Sequence, residues 1–287
     1  MEQIMCDLGY RNIGFPCLVC SNKILGFVIT LLSMIKVCFK LRSGDILIIQ
    51  YPLKKYYTLL CNIVHYRGAK VITLIHDLGS FRRKRLTVLQ EIDRLQNSDY
   101  LITLNDSMSA WLQTKGCEVP KGELKIWDYL SPAIVLNKIE PATDYTVVYA
   151  GALGYNKNRL ISSVQGDFGL VWDGDSYEAC TGNYGEYLRY NNPHKVSLYV
   201  RCHLPLIIWE KAALAPFIKE KEIGICINSL EELDGKLEKL TVDDYFKMKS
   251  RVIEISNLLS VGYFFTKALD EAVKFLTKSD VADEGRN

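Results

Sequence analysis

An excess of charge of either sign is missing from this 287-residue sequence: 35 Lys and Arg against 33 Asp and Glu leave a net +2 at neutral pH. Nucleic-acid binding needs clustered cations, and the one dense basic run, "FRRKRL" at 81–86, holds a single aromatic. No nucleic-acid partner is expected. Long apolar runs are scarce too. The one candidate, "ILGFVITLLSMIKVCF" at 24–39, meets a charge at Lys36, short of the roughly 18–20 apolar residues that cross a bilayer. A buried helix is expected there, with Ser21 or Asn22 as its N-cap and Gly44-Asp45 turning the chain into the next strand. Paired cysteine motifs are absent as well: Cys17-Leu-Val-Cys20 has no second pair and no nearby histidine, so it lacks the ligands of a zinc site. Nine scattered cysteines, an odd number with no secretory leader in evidence, argue against a disulfide framework and for a reducing, cytoplasmic setting.

What is present is ordinary globular material, 48% hydrophobic and 24% charged, in a chain long enough for two domains with a core each. Short apolar runs rich in Val, Ile and Tyr recur at "IGFPCLV", "DILIIQY", "KVITLI", "DYLITL" and "KIWDYL", separated by helical stretches. After a proline-containing link from Ser131 to Asp144 the alternation resumes at "YTVVYAG", "FGLVW", "LPLIIW" and "IGICI". The pattern predicts two Rossmann-like α/β halves joined near residue 140.

In such sheets ligands sit outside the carboxyl ends of the strands. That rule selects His76-Asp77 after "KVITLI", Gly151 after "TVVYA", and Asp173-Gly-Asp175 after "FGLVW". It also draws attention to "NNPHKVSLYV". Pro193 fixes its own φ and biases Asn192 toward an extended backbone, so a helix should begin near His194. Free amides and the helix dipole favour an anion at that end, and Lys195 adds a full charge, a combination suited to a diphosphate. The competing reading is that Asn192 caps a surface helix and Lys195 is a solvated charge. Glu210, at the end of "LPLIIW", offers a carboxylate for ribose or sugar hydroxyls. Trp111, Trp127, Trp172 and Trp209 lie in periodic apolar contexts and are expected in the core rather than as acceptor platforms, though Trp172 and Trp209, at strand ends, could face the cleft, and His65 and His203 receive no role.

The stretches "GDFGLVWDGDS", "YLRYNNPHKVSLYV", "LPLIIWEKAALAPF" and "GYFFTKAL", with the looser "VITLIHDL" and "LITLNDSM", resemble the glucosyltransferase 3-like glycosyltransferases, a family that includes bacterial β-1,6-galactofuranosyltransferases. The resemblance implies a GT-B architecture: an acceptor-side Rossmann-like domain over residues 1–140, a nucleotide-sugar domain over 141–262 facing it across a cleft, and a helix crossing back over 263–287. It further implies Lys195 on the donor diphosphate, Asn192 and His194 shaping that loop, a close backbone approach at Gly151, and a basic donor contact at Arg159. Asp77 or His76 would serve as the base for the acceptor hydroxyl, an ion pair or helix cap being the alternative there. Relative to the family pattern the chain reads as truncated, without the first strand and without a segment after Arg159.

The expected activity is transfer of a hexose, glucose or galactofuranose in type, from a UDP-sugar to a glycan or lipid-linked acceptor in cell-surface polysaccharide or glycoprotein assembly. No metal cofactor is expected, although Asp173-Gly-Asp175 could instead be the DxD pair of a metal-dependent glycosyltransferase. A non-catalytic nucleotide-sugar-binding partner protein is the other alternative. A truncated sheet would favour a homo-oligomer. Arg82, Arg83 and Arg85 could add a transient contact with an anionic membrane, or form a solvated basic face.

Overall fold

The computed structural model describes residues 1–13, 23–53, 56–82, 86–131, 145–150 and 164–284. Its internal contacts divide the chain into two units: Met1–Thr103 with Leu112–Gly122 and Ala268–Asn287, and Leu104–Trp111 with Glu123–Lys267.

The first unit opens with helices α1 (Glu2–Asp7) and α2 (Lys23–Lys40). Then come β1 (Ile46–Tyr51), α3 (Tyr57–Tyr66), β2 (Lys70–Ile75), α4 (Gly79–Arg82), α5 (Val88–Leu95), β3 (Tyr100–Thr103), α6 (Asp106–Thr114), whose residues up to Trp111 belong to the second unit, and β4 (Lys121–Glu123). The sheet order is β1-β2-β3-β4, with β1, β2 and β3 parallel and in register at Ile48 with Ile72 and Leu74 with Ile102. Strand β2 is buried from Val71 to Ile75, which is why its sequence is a continuous apolar run rather than an alternating one. The helix expected at 24–39 forms, but it is not buried all round: Val28, Leu32, Ile35 and Phe39 face solvent while Met34 and Val37 enter the core. A helix at the surface of a unit buries one stripe, so the opposite stripe stays outside. His65 finds a partner in Asp99, 2.9 Å away, whose carboxylate also accepts from the Val71 amide.

The second unit contains β5 (Val147–Val148), β6 (Phe168–Val171), α7 (Gly182–Tyr187), α8 (His194–Arg201), β7 (Leu206–Trp209), α9 (Ala215–Lys221), β8 (Gly224–Ile227), α10 (Leu233–Glu238), α11 (Val242–Ser260) and the start of α12 (Tyr263–Glu284). Its sheet runs β5-β6-β7-β8, every neighbour parallel. Phe168 and Ile208 are fully buried, and removing each from water contributes about 1.5–3 kcal/mol. Helix α8 lies against β6, β7 and α11 and is buried from Val196 to Arg201. Gly169 makes that packing feasible, since a Cβ there would stand 2.2 Å from the Tyr199 ring. From Ala268 onward α12 belongs to the first unit, where Phe275 meets Tyr100 with ring centroids 5.3 Å apart.

Two strand expectations change. "KIWDYL" is not a strand, because its groups are spent on tertiary hydrogen bonds: Trp127 Nε1 donates to the Asn192 carbonyl, the Tyr129 amide to that of Leu259, and the Asp128 carboxylate accepts from the Phe264 and Phe265 amides at the start of α12. Among the described residues of "YTVVYAG", the two of β5 are strand. The strand expected at "IGFPCLV", the caps Ser21 and Asn22, and the place after Arg159 where a family segment is expected to be missing lie outside the described residues.

Candidate functional site

The helix expected at His194 begins there, and its N-cap position is Pro193, at φ −64° and ψ 132°, with no side-chain acceptor. Asn192 therefore does not cap it. Its side chain turns inward, 1% exposed, where Nδ2 donates to the carbonyls of Leu104 (2.8 Å) and Lys125 (3.1 Å) and Oδ1 accepts from Asn105 Nδ2 at 2.8 Å. Asn105 in turn donates to the Tyr190 carbonyl and accepts from the Met108 amide. Two interlocked amides, all within the second unit, thus fix the loop before α8. Trp127 completes the brace. Its ring stacks on His194 with centroids 5.0 Å apart, and its carbonyl accepts from Ser197 Oγ at 2.6 Å.

Lys195 is one residue into the helix and reaches the carboxyl end of β6. Its Nζ donates to Asp173 Oδ1 at 2.7 Å and to the Trp172 carbonyl at 3.4 Å, and it lies 4.9 Å from the centroid of the Tyr149 ring. The Lys195 side chain is 13% exposed and that of Asp173 28%. A cation this far out of water interacts with an anion more strongly than a surface lysine would. Its aromatic neighbour supports the charge through the ring quadrupole. The turn bearing Asp173 is fixed as well: Trp172 Nε1 donates to the Ser176 carbonyl, and a Cβ on Gly174, at φ +133°, would come within 2.7 Å of the Thr181 amide nitrogen.

Tyr199, one turn along α8, ties two strand ends together. Its hydroxyl accepts from the Ala150 amide at 2.7 Å and donates to the Leu170 carbonyl at 3.2 Å. Burial pushes this phenol up to about 12, so it keeps its proton at neutral pH. Cys180, behind the same turn, is pushed up to about 11 by burial and is a protonated thiol rather than a nucleophile.

Glu210 follows β7, but its carboxylate is engaged by Lys219 of α9. Gly151 and Arg159 lie outside the described residues, as do Arg83 and Arg85. Asp173 of the DxD alternative is taken up by Lys195, and among the described residues no group of three or more His, Cys, Asp and Glu side chains is placed as a metal site. Trp172 and Trp209 are buried, and the Arg189 guanidinium lies 4.6 Å from the Trp209 ring centroid.

In the first unit His76 and Asp77 occupy the loop after β2, half-buried, with the His76 amide bonded to the Tyr51 carbonyl. The residue that organises this loop was not anticipated. Glu91 of α5 is fully buried, and its carboxylate accepts from the Gly79 amide (2.7 Å), the Ser80 amide (2.9 Å), the Ser80 hydroxyl and the Tyr51 hydroxyl (2.9 Å). The local signal was a capping box, in which Thr87 and Gln90 satisfy each other's amides and so set the start of α5 one turn before Glu91.

Comparison with known proteins places the chain in a family. The model of the glucosyltransferase 3-like N-terminal domain matches residues 1–126, and that of the C-terminal domain matches residues 121–272. The chain belongs to the glucosyltransferase 3-like family. It is 27% identical to the β-1,6-galactofuranosyltransferase WbbI of Escherichia coli (strain K12), over 92% of this chain and 90% of that protein. It is also 27% identical to glucosyltransferase 3 of Streptococcus gordonii, over 80% of this chain and 79% of that one. Among solved structures, sucrose-phosphate synthase from Thermosynechococcus elongatus aligns over 91% of this chain and 82% of its own, with a TM-score of 0.46 and 11% identity. The sugar-transferring nature of the family fits a chain whose second unit holds a fixed cation at the carboxyl end of a parallel sheet.

Proposed function

We propose that this glycosyltransferase moves a hexose, glucose or galactofuranose in type, from a UDP-sugar to a glycan acceptor. The carrying observation is the Lys195 ammonium, held by Asp173, the Trp172 carbonyl and Tyr149 beside the first turn of α8. Glycosyl transfer releases a nucleoside diphosphate, and negative charge grows on the leaving oxygen as the glycosidic bond breaks. A cation and a helix N-terminus already in position stabilise that charge without reorganising. The diphosphate replaces Asp173 as the anion facing Lys195, while Asn192 and His194 act by fixing the loop.

At the acceptor, His76 or Asp77 removes the hydroxyl proton as the oxygen attacks the anomeric carbon. Glu91 keeps their loop in place through four hydrogen bonds. The reading uses no metal. It is tested by incubating the full chain with UDP-glucose, UDP-galactofuranose and other UDP-hexoses, with and without EDTA, alongside a cell-surface glycan acceptor. Release of UDP together with a lengthened glycan in the presence of EDTA supports the reading. UDP binding without any product would support a non-catalytic carrier, and activity lost to EDTA would return the DxD pair to the centre.

A further inference from the structure

Helix α2 has a feature that sugar transfer does not use. Val28, Leu32, Ile35 and Phe39 are 42%, 59%, 44% and 82% exposed. At 100° per residue they fall within about 60° of arc, one continuous stripe along most of the helix. The opposite face, with Met34 and Val37, is buried in the first unit. Lys36 and Lys40 are exposed and flank the stripe on one side, about 70–110° from its centre.

Along the sequence, the charge in and beside α2 has one sign. From Leu8 to Gly44 the sequence contains no Asp or Glu, while Arg11, Lys23, Lys36, Lys40 and Arg42 contribute five cations. The whole chain has a net charge of only +2, so the rest of it sums to −3. Arg11 is drawn to the end of α2, where its guanidinium donates to the Lys40 carbonyl at 3.3 Å. Among the described residues no helix is long and apolar enough to cross a membrane.

An exposed apolar stripe flanked by cations in a window without carboxylates matches the chemistry of a helix lying in the plane of an anionic lipid surface. We propose that α2 is such a docking face. The apolar side chains enter the acyl boundary while Lys36 and Lys40 reach the headgroups, their stems lying along the apolar surface. A second copy of this chain would bring no carboxylate of this window to the cations and so is the less favourable occupant.

The test is co-sedimentation of the full chain with vesicles of phosphatidylcholine alone and of phosphatidylcholine mixed with phosphatidylglycerol, beside light scattering of the free protein. The wild type should bind the anionic vesicles, and each of Lys36→Gln and Lys40→Gln should weaken binding about fivefold, with a shallower salt dependence. Leu32→Gln with Phe39→Gln should weaken it by a larger factor, with an unchanged circular dichroism spectrum because both side chains are already in water. Equal partition of the wild type to neutral and anionic vesicles would overturn the proposal, as would variants that bind like the wild type. It would also fall if the wild type is an oligomer that Leu32→Gln with Phe39→Gln dissociates and no vesicle binding is seen.

Discussion

The two units build the same kind of strand-end loop and hold it in opposite ways. In the first, a buried anion, Glu91, gathers backbone amides and hydroxyls behind the loop that carries His76 and Asp77. In the second, neutral amides, Asn192 and Asn105, hold the loop from behind, and the charge, Lys195, stands at the front. A charge buried behind a loop serves position alone. A charge one residue into a helix and 13% exposed is the one the proposed function gives to a ligand.

The contrast can be broken most forcefully at Glu91. Glu91→Ala strands two amides and the Tyr51 hydroxyl and should cost about 3–5 kcal/mol of stability, read as a lowered urea midpoint. Glu91→Gln, which keeps one acceptor oxygen, should leave UDP affinity within about twofold while transfer falls, because the first unit's loop loosens and the second unit's does not. A UDP affinity that falls in step with transfer would erase the distinction.

Asp128 gives the second test. Burial pushes its carboxyl up to about 6, against the pull of the Phe265 and Phe264 amides. With the folded value above the unfolded one, the protonated form favours the fold. The contribution is therefore complete below about pH 4 and lost as pH rises through about 6, close to 3 kcal/mol for a shift of about two units. Urea midpoints of wild type and Asp128→Asn should differ in slope across that window and run parallel above it.

Asn192→Ala removes three buried hydrogen bonds, should cost about 2–3 kcal/mol, and should weaken UDP binding although Asn192 touches no ligand in this account. At the small end, Glu186→Gln breaks an exposed i,i+3 pair with Arg189 and should shift stability by less than about 0.5 kcal/mol.

Much of this was legible in the sequence, for identifiable reasons. Buried parallel strands read as continuous apolar runs, so β1, β2, β3, β6, β7 and β8 stood out at their positions. Pro193 marked the start of α8, since proline announces a first helical turn. The partners of the site were hidden. Asp173 meets Lys195 across 22 residues, and Tyr199 reaches Ala150 across 49, through sheet order rather than local spacing. "KIWDYL" misled because its apolar residues serve irregular tertiary hydrogen bonds, and the α2 stripe misled because composition does not say which face a helix buries. Glu91 was invisible because a carboxylate in an amphipathic helix reads as a surface charge until its four donors are placed around it.

The most direct measurement is calorimetric titration of UDP into the wild type, with and without EDTA, and into Lys195→Ala. The account predicts binding that is indifferent to the chelator and about 30-fold or more weaker in the variant, the cost of removing a charged hydrogen-bond partner from a mostly desolvated site. Binding of equal strength in a folded Lys195→Ala, or binding abolished by EDTA, would contradict it.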